Sequence, residues 1–577
     1  MRLLTLHCDY IKFKPLKKAI KAPEELDEER KKEIVVKDPL VVLTAVERGD
    51  SDEILKDYIA AIKKTAGEVQ AKNIVLYPYA HLSNMLSDPT TALEYLKEAE
   101  NVLKGEGYNV TRAPFGYYKE FELKCKGHPL SELSKQFRAE GVQEINSSAP
   151  KKEIQNKQSS GKIILDRRNL KPNDHRILGE DLGIFYLSDE VGPGLPLWLP
   201  RGEVLRNQLE QYMREVELKY GYQYVTTPHI TKGSIYEKTG HLPYYADTMF
   251  SPMEIDGINY YLKPMNCPHH HMIFQKIIKS YKDLPLRLAE AGVVYRNELS
   301  GVTYGLMRVR HIMQNDAHIY VTPNQLKDEF IKVLKMFDEV YQVMGIQDYY
   351  FRLSLPDFKK NPEKFTGDPK EWEFASEEIR KAMKEWGKNF TEENGEAAFY
   401  GPKIDVQIKN ANGKEETIAT SQVDIVVPKR LEITYIDEKG EKKTPIVIHR
   451  AILGSYERFV AFLLEKTEGK FPVWLSPIQV RVIDYTERNT QSAQKIVDKL
   501  KEAIPGLRID SDFRNTTVND KVRDSEMQKI NYLVTIGDKE EEKGTLAVKR
   551  RGNNKPEFGV KFESFVHEVK EKIEKRN

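Results

Sequence analysis

One polar stretch rules out a single folded body. Between Asn146 and Gly161 the chain runs Asn146-Ser147-Ser148-Ala149-Pro150-Lys151-Lys152 and then Gln155-Asn156-Lys157-Gln158-Ser159-Ser160-Gly161. Such a segment carries too little apolar surface to repay the entropy of ordering itself, so it reads as a linker. The residues before it must bury a core of their own, and so must those after it. At 577 residues the chain has room for three or four domains. The expected division is 1–145, a linker at 146–165, a central domain at 166–471 and a last domain at 472–577.

Periodicity fills in these parts. Before the linker, Leu3–His7, Ile74–Tyr79 and Tyr117–Lys126 read as strands, and Asp52–Lys72 and Thr90–Gly105 carry helical spacing, which predicts a small α/β domain. The central part combines a long helix, Gly202–Tyr220, with many short strand-like runs. Gly257–Leu262 and Gln422–Val427 read as neighbouring strands of an antiparallel sheet, an α+β arrangement. From Pro472 strands and helices alternate again: Val480–Tyr485, Thr490–Ala503, Leu507–Asp510, Val518–Lys529, Tyr532–Gly537, Thr545–Lys549 and a terminal helix from Glu563. The fold class expected is therefore multidomain α+β and α/β.

Composition excludes several functions. Lys and Arg total 90 against 88 Asp and Glu, a net charge of +2, so a polyanion would have to be met by local patches. The three cysteines, Cys8, Cys125 and Cys267, are too few and too scattered for a disulfide framework and suit a reducing cytoplasm. No apolar run approaches the ~18 residues of a membrane helix, and His7 and Asp9 break the N-terminal apolar run before it could serve as a signal.

Two segments carry chemistry: Arg296-Asn297-Glu298, after Val293-Val294-Tyr295, and Gly454-Ser455-Tyr456-Glu457-Arg458-Phe459. Each sets an arginine beside a carboxylate. A guanidinium fork suits phosphate oxygens, and a glutamate can accept from the adenine amine. No G-x-x-x-x-G-K-[ST] loop occurs, so phosphates would be held by arginines. A single Arg-x-Glu is ordinarily a solvated surface pair, and the surrounding text decides otherwise.

With Met265-Asn266-Cys267-Pro268, Gly305-Leu306-Met307-Arg308-Val309-Arg310, Gln314-Asn315-Asp316-Ala317-His318, Tyr400-Gly401-Pro402-Lys403-Ile404-Asp405 and His449-Arg450-Ala451-Ile452-Leu453-Gly454, these segments resemble the class II aminoacyl-tRNA synthetases. Within that class the match is to the threonyl-tRNA synthetase family, from about Leu182 onward. The resemblance implies a class II antiparallel core that activates L-threonine with ATP and Mg²⁺ and transfers it to tRNA(Thr). Arg296 would hold the α-phosphate, Glu298 the adenine amine, and Arg308 and Arg458 the outer phosphates, with Thr420 and Gln422 on the adenylate side. Arg310 reads equally well as part of a basic strand facing solvent. Gln314, Asp316 and Tyr400 would line the threonine pocket. The region Tyr222–Pro228 would help form a homodimer.

By spacing alone, Cys267, His318 and His449 are no compact metal signature, and a buried cysteine with two ordinary histidines is the default. The resemblance makes them ligands of one Zn²⁺ per chain, a donor set that zinc accepts. His269-His270-His271 invites a false metal reading and is taken as structural. A zinc pocket that clamps the substrate amine and hydroxyl rejects valine. Serine keeps both groups and is one methyl smaller, a difference worth only ~1–3 kcal/mol, so a hydrolytic second sieve is expected.

The N-terminal domain resembles the archaeal editing type, related in fold to D-aminoacyl-tRNA deacylases. The matching segments are His7-Cys8-Asp9-Tyr10, Tyr77-Pro78-Tyr79-Ala80-His81-Leu82, Pro114–Lys119 and Gly127–Leu133. By that resemblance His81, Tyr118, Lys119 and Glu132 would form a seryl-ester pocket. Cys8 reads as a small buried side chain rather than a nucleophile, and His128 as structural. The last domain resembles the class II anticodon-binding domain. It has 21 basic and 18 acidic residues from Leu475 onward. Arg514, Asn515, Arg523, Glu540 and Lys549 are the candidates for reading splayed bases and neutralising phosphates. The alternatives are another class II synthetase, of prolyl or seryl type, and a synthetase-like binding protein without catalysis.

Overall fold

The computed structural model describes residues 1–20, 23–83, 86–127, 131–137, 143–145, 167, 170–240, 242, 246–360, 364–409 and 415–576. The expected linker, 146–165, falls wholly outside them. Two compact units divide the chain, Met1–Gln158 and Ser159–Asn577. Among the described residues no helix is long and apolar enough to cross a membrane.

The first unit is organised by one strand, Arg2–Lys18, that serves two neighbourhoods. Its first half lies between Pro39–Ala45 and Glu132–Gln136. Its second half pairs with Ile34–Lys37 and Tyr117–Cys125. Beyond Pro39–Ala45 the sheet continues in parallel through Asn73–Pro78 and Asn109–Arg112. The connecting helices Asp52–Glu68 and Pro89–Gly105 start where Ser51 and Asp88 accept backbone N–H groups in the first turn. They bury Tyr58, Ile62, Leu96 and Leu103 against the sheet. A buried ion cluster tightens the far edge: Arg112 donates to Glu24 through two nitrogens, at 2.8 and 2.6 Å, and the Phe115 N–H adds a third bond at 3.1 Å. Burial alone would raise the Glu24 pKa, but the Arg112, Arg30 and Phe115 donors prevail and hold it at about 2.

The second unit is built on an eight-stranded sheet in the order Gln223–Tyr224, Leu286–Tyr295, His311–Val321, Ile446–Ser455, Glu415–Asp424, Lys403–Lys409, Tyr349–Leu355, Phe390–Asn394. Its inner pairings are antiparallel, and the two outermost are parallel. The helices Leu326–Val343, Pro369–Trp386 and Tyr456–Thr467 bury Phe330, Trp372 and Phe459 in one continuous core. The final part is a five-stranded sheet with Val480–Asp484 between the parallel strands Ile509–Asp512 and Tyr532–Ile536.

Two expectations need correction. Ile258–Leu262 and Glu415–Asp424 are strands, but of different sheets: the first sits between Ile230–Lys232 and Met253–Ile255 in a three-stranded one. Alternation identifies a strand but not its partner. The run Gln422–Val427 also ends as a strand at Asp424, because the Asp424 carboxylate accepts the N–H groups of Val426 and Val427 and turns the chain into the helix Val427–Arg430. The fully buried strand Pro39–Ala45 had no alternation to betray it.

Candidate active site

Strand register assembles the site. In an extended strand residues i, i+2 and i+4 share a face, so Gln314, Asp316 and His318 leave His311–Val321 on one side. His318 lies opposite His449, and Asp316 opposite Ala451. On the next strand Gln422 lies opposite His449, and Thr420 opposite Ala451. Tyr400 joins from the side, its hydroxyl bonded to Gln422 and its ring 5.3 Å from that of His449. Six residues proposed from sequence for threonine, adenylate and metal thus share one floor.

Cys267 arrives from above, as the first residue of the helix Cys267–Ile277. One ligand atom from each of Cys267, His318 and His449 lies within 4.8 Å of the others. Burial, with the nearby Asp316 and Asp424 charges, pushes the Cys267 thiol well above its usual range. Burial and the neighbouring histidines hold His318 well below its usual range. Donors on a tetrahedral zinc stand about 3.3–3.8 Å apart. A thiol and two imidazoles gathered this closely therefore fit such an ion.

Neighbours orient these donors. His270 Nδ1 lies 2.8 Å from His318 Nδ1, and His270 Nε2 lies 3.1 Å from Glu290. Glu290 also accepts the Thr227 N–H at 2.8 Å. With its Nδ1 so engaged, His318 has Nε2 left for an ion. His449 is held by Asp424 at 3.1 Å, and Asp316 by the Asn266 amide at 2.9 Å. Sequence reading missed His270, Asp424 and Asn266 in these roles. The spacing Cys267 to His270, three residues on a helix, was the available signal. The structural reading of the triple histidine agrees with these bonds, and with His271 bonded to the Tyr320 hydroxyl at 2.9 Å.

The second part of the site is cationic. Arg308 pairs with Glu298 at 2.8 Å, and Arg310 donates to the Glu298 carbonyl at 2.8 Å. Arg458 donates to the carbonyls of Met307 and Thr417, at 3.2 and 3.4 Å. Desolvation first, then the charges of Arg296 and Arg308, push the Arg458 pKa down. The three arginines expected at ATP phosphates therefore repel one another, an arrangement that an incoming polyanion relieves. Arg308 meets Glu298 at one carboxylate oxygen, Oε2, through both Nε and Nη2.

In the first unit Lys119 lies over the Tyr77 ring, 5.0 Å from its centre, and donates to the carbonyls of Pro114 and Tyr117 at 3.0 and 3.2 Å. Burial pushes its pKa down to about 8, against a smaller opposing pull from Glu24. Tyr118 follows on the opposite face of the strand, exposed beside Lys17. The backbones of His81 and Glu132 belong to the turn Ala80–Leu82 and the strand Glu132–Gln136. Their side chains, and His128, lie outside the described residues. Cys8 is fully buried, and burial first, then Cys125, raises its thiol to about 12, no property of a nucleophile.

In the last sheet Arg514 pairs with Asp512 and Asp524, both at 2.6 Å, and Arg523 with Asp520 at 3.2 Å. Asn515 is exposed. Glu540 accepts the Gly537 N–H at 3.2 Å, and Lys549 pairs with Glu526.

Comparison with known proteins matches residues 1–137 to the Archaea-specific editing domain of threonyl-tRNA synthetase, 252–467 to the tRNA synthetase class II core domain (G, H, P, S and T), and 479–572 to an anticodon binding domain. The threonine–tRNA ligase of Bacillus velezensis is 45% identical over 397 residues, which cover 69% of this chain and 61% of that protein. The crystal structure of the RNA binding domain of threonyl-tRNA synthetase from Cryptosporidium parvum superposes with a TM-score of 0.64 at 33% identity, covering 69% of this chain and 98% of that one. A prolyl-tRNA synthetase from the same organism, 15% identical with a TM-score of 0.55, over 70% of this chain and 75% of its own, shares the fold. With three matched domains in series and an arginine face beside a Cys-His-His pocket on the class II sheet, the chain belongs to the threonyl-tRNA synthetase family.

Proposed function

We propose that the protein is a threonine–tRNA ligase: it activates L-threonine with ATP and Mg²⁺, transfers it to tRNA(Thr), and hydrolyses seryl-tRNA(Thr) in its first unit. The observation that carries this reading is the meeting of Cys267, His318 and His449 from three separate segments. These residues would hold one Zn²⁺, which supplies a Lewis acid for the amine and β-hydroxyl of threonine. Asp316, fixed by Asn266, is set to accept from that hydroxyl. Gln422 and Tyr400 close the side of the pocket.

The chain's own part in the first step is electrostatic. As the threonine carboxylate attacks the α-phosphorus, charge grows on the non-bridging oxygens, and Arg296 with Arg458 would stabilise it. Arg308 takes the departing pyrophosphate. No general base is needed, because the attacking carboxylate is ionised. The domain division 1–145, 146–165, 166–471 and 472–577 follows these roles, with Arg514, Asn515, Arg523, Glu540 and Lys549 at the anticodon. A homodimer through the Tyr222–Pro228 region and a cytoplasmic location complete the reading.

Threonine-driven exchange of pyrophosphate into ATP, with the metal content of protein purified without added zinc, is the test. Exchange driven by proline, or protein that is active and metal-free, contradicts the assignment. For editing, neutral Lys119 would orient the hydrolytic water. Its neutral fraction grows as pH rises through about 8, so seryl-ester hydrolysis should climb to a plateau above that pH. Lys119→Ala should slow hydrolysis about 10²-fold and abolish the rise, leaving threonine activation intact.

A further inference from the structure

Asp174, His175 and Arg176 lie more than a hundred residues before the arginine face, yet all three touch the turn that carries Arg308. This turn is tight: the Tyr304 N–H donates to the Arg308 carbonyl at 3.0 Å, and the Arg308 N–H returns a bond to the Tyr304 carbonyl at 3.2 Å. The Tyr304 hydroxyl donates to Asp174 at 3.2 Å and accepts from Arg176 at 3.0 Å. The Arg176 guanidinium also lies 4.1 Å from the centre of the Tyr304 ring. The Leu306 N–H donates to His175 Nε2 at 3.3 Å. Gly305, at φ +50, sits so close that a Cβ would come within 2.2 Å of that nitrogen.

The other side of the imidazole faces Glu465, with Nδ1 and the carboxylate 2.7 Å apart. An amide N–H can only donate, so Nε2 must accept and Nδ1 must carry the proton. His175 is thereby fixed as one neutral tautomer. Glu465 stands seven residues after Arg458 on the helix Tyr456–Thr467, two turns on along the same face. Arg458 grips the turn directly, at the Met307 carbonyl. Glu465 grips it through His175, at the neighbouring Leu306. One helix face therefore holds the turn at two adjacent residues, Leu306 and Met307, and the fully buried imidazole is the spacer on the Leu306 side.

Asp174, His175 and Glu465 also bring three ligand atoms within 4.8 Å of one another, as a metal site would. Asp174, however, is taken by the Arg176 guanidinium at 2.9 Å and by the Tyr304 hydroxyl, and both ring nitrogens of His175 are used. The group is a hydrogen-bonded clamp.

We propose that His175 is a positioning residue for adenylate formation, setting the turn that bears Arg308 at a fixed distance from Arg458 so that both guanidinium groups meet one triphosphate. The proposal rests on the ligase reading above. Its test compares His175→Ala, Glu465→Ala and Glu465→Gln with the parent protein. The readouts are ATP affinity by equilibrium titration without amino acid, kcat and KM for ATP in threonine-driven exchange, threonine affinity without ATP, and the melting midpoint.

His175→Ala and Glu465→Ala should weaken ATP binding about tenfold and lower kcat by about 10–10²-fold, the scale set by an ångström of misplacement. Threonine affinity should stay within about twofold, since no group of the clamp faces that pocket. Glu465→Gln keeps an oxygen that accepts the Nδ1 proton and should stay within about threefold of the parent. Parental ATP affinity and kcat in both alanine variants would overturn the clamp. So would a parallel loss of threonine affinity and melting midpoint, which marks a role in folding only. A parent protein that shows no threonine-driven exchange defeats the ligase reading instead, and the ATP titration still judges the clamp.

Discussion

The pocket of Cys267, His318 and His449 and the group of Arg296, Arg308 and Arg458, carried on segments that adjoin strands of one sheet, are electrostatic opposites. In the first, burial suppresses charge: the thiol is driven toward its neutral form, and so is the imidazole of His318. In the second, like charges are collected, and Arg458 feels the other two. A neutral imidazole, and a buried thiol that gives up its proton when a metal binds, suit a cation, and crowded guanidinium groups suit an anion. A ligand carrying an amine at one end and a triphosphate at the other would satisfy both, and threonine with ATP is such a pair.

The comparison breaks most clearly at the pocket. Cys267→Ser and His318→Ala should each lose the metal and lower threonine-driven exchange by about 10³-fold or more, while ATP affinity changes little. Metal analysis beside exchange kinetics checks this, and retained activity in metal-free variants would contradict it. Next in size is Arg458→Ala, expected to lower kcat about 10²–10³-fold with the metal content unchanged. A variant that lost metal as well would mean that the two regions do not act separately.

A third test reads the buried carboxylate beside Arg458. Glu457 accepts the Met313 N–H, and burial raises its pKa from 4.5 to about 7. The folded chain therefore keeps a proton that the unfolded chain has lost between those values. Stability should fall as pH rises across that window, by roughly 3 kcal/mol in total. Glu457→Gln should flatten the fall, as seen in the melting midpoint of the second unit between pH 4.5 and 7. The smallest effect is expected from Glu298→Gln, which frees Arg308 from its partner. KM for ATP should change about 2–5-fold, because glutamine keeps an oxygen that can accept from an adenine amine and the pair with the exposed Arg308 contributes little, and a titration against ATP resolves it.

Sequence made the two regions legible to different degrees. The arginines sit in contiguous segments with local punctuation, so their chemistry could be named from the text. The metal pocket depends on the register of His318 against His449, a pairing across more than a hundred residues that no local pattern encodes. Only the family resemblance joined them. The supporting residues were harder still: His270 was read as structural without its partners, and His175 was not singled out at all. The strand Arg2–Lys18 was recognised only over Leu3–His7, although its second half also alternates lysines with apolar residues; Pro15 within it speaks against a strand. The runs Gly257–Leu262 and Gln422–Val427 were read as neighbouring strands, but the first lies in a separate sheet and the second covers only the last three residues of Glu415–Asp424.

That cross-strand match between His318 and His449 limits how this lineage can vary in length. Adding or deleting one residue next to His318 or His449 would swing one imidazole to the reverse of the sheet and carry Gln314 and Asp316, or Ala451, with it. Length changes between the two paired histidines and their neighbours Asp316 and Ala451 should therefore be rejected, whereas the Ala451–Ser455 end, already irregular in its pairing, can absorb one.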